Sequence, residues 1–152
     1  MTRVRFVGAE DVDLVNELRS SETSRRALSA YEFERTPVDN AFEVETASMA
    51  AALALLNDLN WYVRRYCRWT EVLDPDVSED EWLSRRLATR VYEREIDPGE
   101  TREYLVVRGV SDGEPMEPLY ARWEPPEYDL GDADVVLVTR IDESEFRESA
   151  EE

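Results

Sequence analysis

Residues 60–69 of the chain interleave arginines with aromatic side chains, in the order Asn-Trp-Tyr-Val-Arg-Arg-Tyr-Cys-Arg-Trp. Aromatic platforms flanked by guanidinium groups hold single-stranded nucleic acid without reading its base sequence. If the segment is a strand, four of its side chains share one face and form such a platform. These four are Tyr62, Arg64, Tyr66 and Arg68. A continuing helix is the second assignment open for the segment.

The same segment also has a purely structural interpretation. One strand face would bury Trp61 and Trp69, and the arginines of the other face would pair with carboxylates, which are abundant in this chain. We favour this structural interpretation over a nucleic-acid surface.

A second basic feature lies on a predicted helix. Arg86, Arg90 and Arg94 recur at i, i+4 and i+8, so they line one side of that helix. Such a row could contact phosphates or an acidic partner. We favour pairing with Glu93 and with acids on neighbouring elements.

The composition excludes several catalytic chemistries. The chain has no histidine and no lysine, and its five glycines form no nucleotide-binding motif. Cys67, the single cysteine, has no histidine to activate it, and we interpret it as a small buried hydrophobe. We therefore predict no enzyme, no cofactor and no metal site. An enzyme that binds a metal through carboxylates is a weaker alternative.

The charge balance indicates a habitat. Thirty-six aspartates and glutamates face 18 arginines, for a formal net charge of −18. At about 1 M salt the Debye length is only about 3 Å, so the repulsion between these carboxylates is screened. This predicts a halophilic protein from the cytosol of a salt-accumulating archaeon. The longest apolar run, residues 49–56, is far shorter than the roughly 20 residues of a membrane-spanning helix.

The hydrophobic pattern predicts one α+β domain over residues 1–141. A strand at 4–7, with Arg3 and Arg5 facing outward, is followed by helices at 11–19 and 21–28 and by short strands at 31–34 and 42–45. Thr46 or Ser48 caps a buried helix through Leu59. A capping box at Ser78 and Glu81 begins a helix that runs to about Glu95.

Three strands end the predicted domain, at 104–108, 119–123 and 135–140. We expect them to form an antiparallel meander, with the apolar stretch 135–138 placed centrally. The predicted fold is thus a mixed or mostly antiparallel sheet with about three helices. The tail, 142–152, carries six acids and one arginine and is predicted to be disordered.

Three stretches of the chain are distinctive: Leu-Leu-Asn-Asp-Leu-Asn-Trp-Tyr-Val at 55–63, Ser-Glu-Asp-Glu-Trp-Leu at 78–83 and Glu-Pro-Leu-Tyr at 117–120. They resemble segments of a small haloarchaeal protein family of unknown function. The resemblance covers most of the chain except the acidic tail. It implies a lineage and carries no activity with it.

These features lead to two hypotheses of different classes. The first is a non-enzymatic cytosolic domain that acts by protein–protein contact, as a regulatory or accessory subunit with a protein partner. The alternative is a nucleic-acid-associated protein that uses residues 61–69 and the arginine row. One exposed positive patch would favour nucleic acid, whereas dispersal of the arginines among carboxylates would favour the first hypothesis. No membrane partner is expected, and the sequence leaves the oligomeric state open.

Overall fold

The computed structural model describes residues 1–124 and 133–150. The strands are β1 (Thr2–Gly8), β2 (Ala41–Thr46), β3 (Cys67–Leu73), β4 (Trp82–Ser84), β5 (Tyr104–Ser111), β6 (Glu114–Pro115), β7 (Leu119–Arg122) and β8 (Val135–Ile141). The helices are α1 (Leu14–Ser20), α2 (Glu22–Leu28), α3 (Met49–Asp58), α4 (Asn60–Tyr66), α5 (Arg85–Tyr92) and α6 (Glu143–Ala150), with a 3-10 turn at Pro98–Glu100. None of the described helices is long and apolar enough to cross a membrane.

The predicted α+β class is confirmed. The eight strands form one sheet in the order β2-β1-β3-β4-β8-β5-β6, with β7 also paired to β5. Every pairing is antiparallel except that of β4 with β8. The described residues hold six helices rather than about three.

The predicted meander of the last three strands is wrong. β5 is the middle strand of the three, with β7 on one side and β8 on the other. β8 inserts between β4 and β5 and pairs with β5 along its length and with β4 at one end. The strand as a whole is central, but the apolar stretch 135–138, predicted to be central, pairs with β5 alone. β4 pairs only with Thr139 and Arg140, and Val135 and Val136 are exposed.

One face of the sheet packs against the helices and forms the main core. The apolar side chains of β1 and β2 on this face, such as Phe6 and Val44, meet α3, whose Ala52, Leu53 and Leu56 are buried. Ser48 caps α3 as predicted, with its Oγ accepting from the Ala51 backbone N–H at 3.1 Å. A helix that is apolar on nearly every side is stable only when it is buried in this way.

The sheet curls at one end. Val7 on β1 packs in one cluster with Val110 on β5 and Leu137 on β8, although β3 and β4 lie between β1 and β8 in the strand order. The Asp39 N–H donates to the Gly113 carbonyl at 2.8 Å across the same gap. Gly113 has a φ of 82°, and a Cβ there would lie 2.3 Å from the Asp39 carboxyl carbon, so this contact requires glycine.

Of the two assignments open for residues 61–69, the helix holds for the first part and the strand only for the last three residues. Helix α4 occupies Asn60–Tyr66, and β3 begins at Cys67. The buried Leu59 joins α3 to α4, and its carbonyl accepts from the Val63 N–H at 2.9 Å. Tyr62, Val63 and Tyr66 pack against the main core, and their i, i+1, i+4 spacing suits a helix lying on a sheet.

The helix predicted from Ser78 begins later. Ser78 Oγ does accept from the Glu81 N–H at 3.0 Å, but the chain then enters β4, which pairs with β3 and β8. Ser84 is the true N-cap of α5, and its Oγ accepts from the Leu87 N–H at 3.2 Å. Sheet pairing on both sides of Trp82–Ser84 therefore outweighs the local capping signal.

Two further expectations change. Residues 31–34 make a single bridge between Glu34 and Glu43 instead of a strand. The tail predicted to be disordered contains α6, whose start is fixed because Glu145 Oε1 accepts from the Asp142 N–H at 3.0 Å. This is a capping-box contact, which supplies the local order that composition alone does not indicate. Residues 151–152 lie outside the described residues.

Candidate functional site

Helix α4 presents one exposed face, formed by Trp61, Arg64 and Arg65, and we call it the α4 ridge. Trp61 is 53% exposed, and the Arg65 guanidinium carbon lies 4.3 Å from the centroid of its ring. Within the described ranges, neither Arg64 nor Arg65 forms an ion pair. The ridge is thus a cation–aromatic pair on the surface of a chain with net charge −18.

The other residues of the predicted platform do not share this face. The Tyr62 hydroxyl lies 2.6 Å from Ser21 Oγ, and both Tyr62 and Tyr66 are half-buried against the main core. Arg68 belongs to β3 and lines a separate cavity of about 210 Å³ beside Val38 and Asn40. The four residues Tyr62, Arg64, Tyr66 and Arg68 are therefore not one surface.

The arginine row is divided as well. Arg86 Nη1 donates to Ser144 Oγ at 2.9 Å and lies 3.4 Å from Glu148 Oε1. Arg90 forms an ion pair with Asp142, so these two arginines contact α6 and the residue before it. Arg94 lies beyond the end of α5 with a φ of 61°, a left-handed conformation that is common where helices end.

The face of the sheet opposite the main core holds a buried charge cluster that the sequence analysis missed. Arg5, expected to face outward, is only 4% exposed. Its Nε lies 3.0 Å from Glu43 Oε2 and its Nη1 lies 2.6 Å from Glu71 Oε1. The Trp82 ring centroid lies 4.0 Å from its guanidinium carbon. The cluster follows from the register, which places Arg5 opposite both Glu43 and Glu71.

A second arginine approaches this cluster from β5. Thr139 Oγ1 donates to Glu71 Oε2 at 2.6 Å and lies 3.5 Å from Arg108 Nη1. Burial lowers the pKa of Arg108 from its usual value, and the nearby Glu71 carboxylate partly offsets this. Two arginines and two glutamates thus balance one another's charge on this face, as buried ions require.

Two observations on the described residues bear on nucleophilic and metal-ion chemistry. Burial raises the pKa of the Cys67 thiol to about 12, so the nucleophilic thiolate is scarce at neutral pH. In the part of the chain that the structure describes, no group of three histidine, cysteine, aspartate or glutamate side chains is placed to hold a metal ion.

The described structure is an α+β protein with a curled mixed sheet, a buried charge cluster and an exposed α4 ridge. The chain belongs to DUF5804, a family of unknown function, whose family model matches residues 2–110. Neither a curated protein nor a solved structure matches the chain.

Proposed function

We propose that the protein is a non-enzymatic interaction domain of a halophilic cytosol, and that its α4 ridge binds an acidic segment of a partner protein. The observation that carries this proposal is Trp61, which is 53% exposed and is stacked by Arg65 at 4.3 Å. Tryptophan and arginine are the residue types that most often dominate the binding energy of protein interfaces. Trp61 and Arg65 are already stacked before a partner binds.

Charge indicates the kind of partner. The protein carries a net charge of −18, so its surface repels most other acidic proteins where that charge is not screened. The α4 ridge is a local exception to this repulsion, because its exposed charges are positive. A guanidinium stacked on an indole can still donate its in-plane N–H groups to a carboxylate. An acidic segment therefore fits the ridge better than a basic or apolar one.

Protein is favoured over nucleic acid because the tyrosines are turned inward. A single strand needs successive aromatic faces on which its bases stack. Tyr62 and Tyr66 pack against the core, which leaves Trp61 as the exposed aromatic residue of α4. We expect an oligonucleotide to gain no more than weak, salt-sensitive contact with this face.

The test begins with a photo-crosslinking amino acid at position 64 of the full chain, on the α4 ridge, so that Trp61 and Arg65 stay in place. Irradiation in a high-salt lysate, with and without nuclease, should give one protein adduct joined through an acidic segment and insensitive to nuclease. The purified partner should then bind the Trp61→Ala variant at least about thirtyfold more weakly than wild type, which corresponds to about 2 kcal/mol.

Tyr92→Ala is the matched control, since Tyr92 is also 53% exposed but lies at the end of α5. It should bind the partner as wild type does. Equal losses in the two variants would contradict the proposal, and so would a crosslink to nucleic acid or to a basic segment. Fluorescence anisotropy with a labelled single-stranded oligonucleotide should stay at background for both wild type and Tyr66→Ala.

A further inference from the structure

The C-terminal helix α6 is attached to α5 mainly through polar groups. Ser84 Oγ, at the start of α5, donates to Glu145 Oε1 at 2.5 Å. Arg86 contacts Ser144 and Glu148, and Arg90 pairs with Asp142. We call the surface formed by Ser84, Arg86 and Arg90 the α5 arginine face. Its contacts to α6 join an arginine-bearing surface to an acidic helix.

The apolar part of the attachment is small. Phe146 is half-buried, and its ring lies 5.0 Å from the Tyr104 ring between centroids. The other side chains of residues 143–149 are polar or charged. Elements with few buried apolar contacts open locally at a small fraction of the free energy of global unfolding. Helix α6, which also contacts β5 and β7, therefore has few apolar contacts to lose on opening.

We propose that the α5 arginine face is a docking surface for an acidic helix of a partner protein, and that α6 occupies this surface within the chain and so controls access to it. The cavity beside α6 has a volume of about 470 Å³ and is lined by Arg85, Arg86, Thr89, Arg90 and Glu145. Departure of α6 removes the Glu145 wall and releases Arg86 from Glu148 and Arg90 from Asp142. Arg90 keeps its contact with Glu95 at 3.4 Å.

The partner segment is specified by what α6 itself supplies. It carries an aspartate at its N-cap for Arg90, a glutamate three residues later for Ser84, and an aromatic residue next for Tyr104. The tethered α6 competes at an effective concentration in the millimolar range for so short a connection. A partner must therefore bind more tightly than an isolated α6 peptide, or meet a chain whose α6 has been weakened.

This surface is distinct from the α4 ridge, so the two proposals stand or fall separately. The probe is an N-acetylated, fluorescently labelled peptide with the sequence of residues 142–150, titrated into the full-length protein. Phe146→Ala and, independently, Glu148→Arg weaken α6 within the chain and leave the acceptor face intact. Glu148 has a side chain that is 68% exposed, so the second variant keeps the test open if the first one unfolds.

We expect each variant to bind the peptide at least about tenfold more tightly than wild type, because the competing helix is weakened. Amide exchange of residues 145–150 should be faster in both. Adding Arg90→Gln to either variant should abolish the gain. Arg147→Ala is the control, because Arg147 pairs with Glu143 within α6, and it should behave as wild type.

Three results would overturn the proposal. Faster exchange of α6 without tighter peptide binding would show that the arginine face is no acceptor for an acidic helix. Unchanged exchange of α6 in a folded variant would show that the helix is a fixed part of the domain. A gain that survives Arg90→Gln would place the peptide elsewhere and would equally exclude this surface.

Discussion

Arg5 is held between two carboxylates in a place that water barely reaches. Removing its guanidinium leaves the buried Glu71 without an ion pair among the described residues and leaves Glu43 with only the partly exposed Arg3. Burying an unpaired charge is far more costly than losing a surface contact. We expect Arg5→Met to lower the free energy of unfolding by about 3–5 kcal/mol. Urea denaturation in molar KCl, where the surface charges are screened, measures this cost.

Arg3 provides the comparison for Arg5. It also contacts Glu43, at 3.2 Å, but its side chain is 35% exposed. Arg3→Met should therefore cost only about 0–1 kcal/mol. Similar losses in the two variants would show that solvent screens Arg5 as fully as it screens Arg3.

Glu81 should make stability depend on pH. Burial alone would raise its pKa, but hydrogen bonds from Arg102 and Arg140 outweigh burial and hold the pKa below the ordinary value of 4.5. A carboxyl group with a lowered folded-state pKa stabilises the fold above its unfolded pKa, and this contribution is lost as the pH falls through the folded value. Urea midpoints should thus fall on acidification below about pH 4.5, and less steeply in Glu81→Gln than in wild type.

Glu22→Gln is the control for this pH dependence, because Glu22 pairs with Arg26 on an exposed helix surface. On acidification, the urea midpoints of this variant should fall as those of wild type do. If Glu81→Gln also follows wild type, the two arginines do not stabilise the ionised carboxylate.

At the scale of elements, Ser84 joins β4, α5 and α6. Its hydroxyl caps α5 and donates to Glu145. Ser84→Ala should lower the free energy of unfolding by about 0.5–2 kcal/mol, as lost N-caps do. It should also speed the amide exchange of α6. Ser78→Ala, at the cap signal that precedes β4, should change stability by no more than about 0.5 kcal/mol. A larger loss of stability in Ser78→Ala than in Ser84→Ala would show that the capping box at Ser78 is the one that stabilises the helix.

The elements with a clear period could be predicted from the sequence, and the ambiguous ones could not. Strands β1, β2, β5 and β8 and the buried helix α3 lie where the hydrophobic pattern places them. Residues 61–69 fit both a period of two and a helical spacing, and the helix forms because it continues from α3 through Leu59. Strand β4 has three residues, which is too short to show any period.

Long-range pairing explains the remaining differences. The insertion of β8 beside β4 joins residues more than 50 positions apart, such as Trp82 and Thr139, and local patterns carry no such information. The buried charge cluster could not be predicted from the sequence for the same reason. Arg5 looks solvent-exposed on its own strand, and only the register of β2 and β3 makes it buried. Of the predicted site residues, Arg64 alone belongs to the α4 ridge.

For the whole molecule, the charge imbalance predicts dependence on salt. With a net charge of −18, repulsion across the surface grows as the Debye length rises from about 3 Å at 1 M to about 10 Å at 0.1 M. We therefore expect the melting temperature followed by circular dichroism to fall as KCl is diluted over this range. Sucrose, which is uncharged and also favours burial, should restore less stability than KCl does. A melting temperature that is independent of KCl would contradict the halophilic interpretation.

The position of β8 also constrains how the protein can be made. A ribosome synthesises β8 after every other strand, yet β8 sits between β4 and β5 in the finished sheet. Until it emerges, the nascent chain holds two half-sheets, and β4 and β5 each present an unpaired edge. Open strand edges are the usual starting points of aggregation. A product that ends before Val135 would therefore keep both edges open and be prone to aggregate.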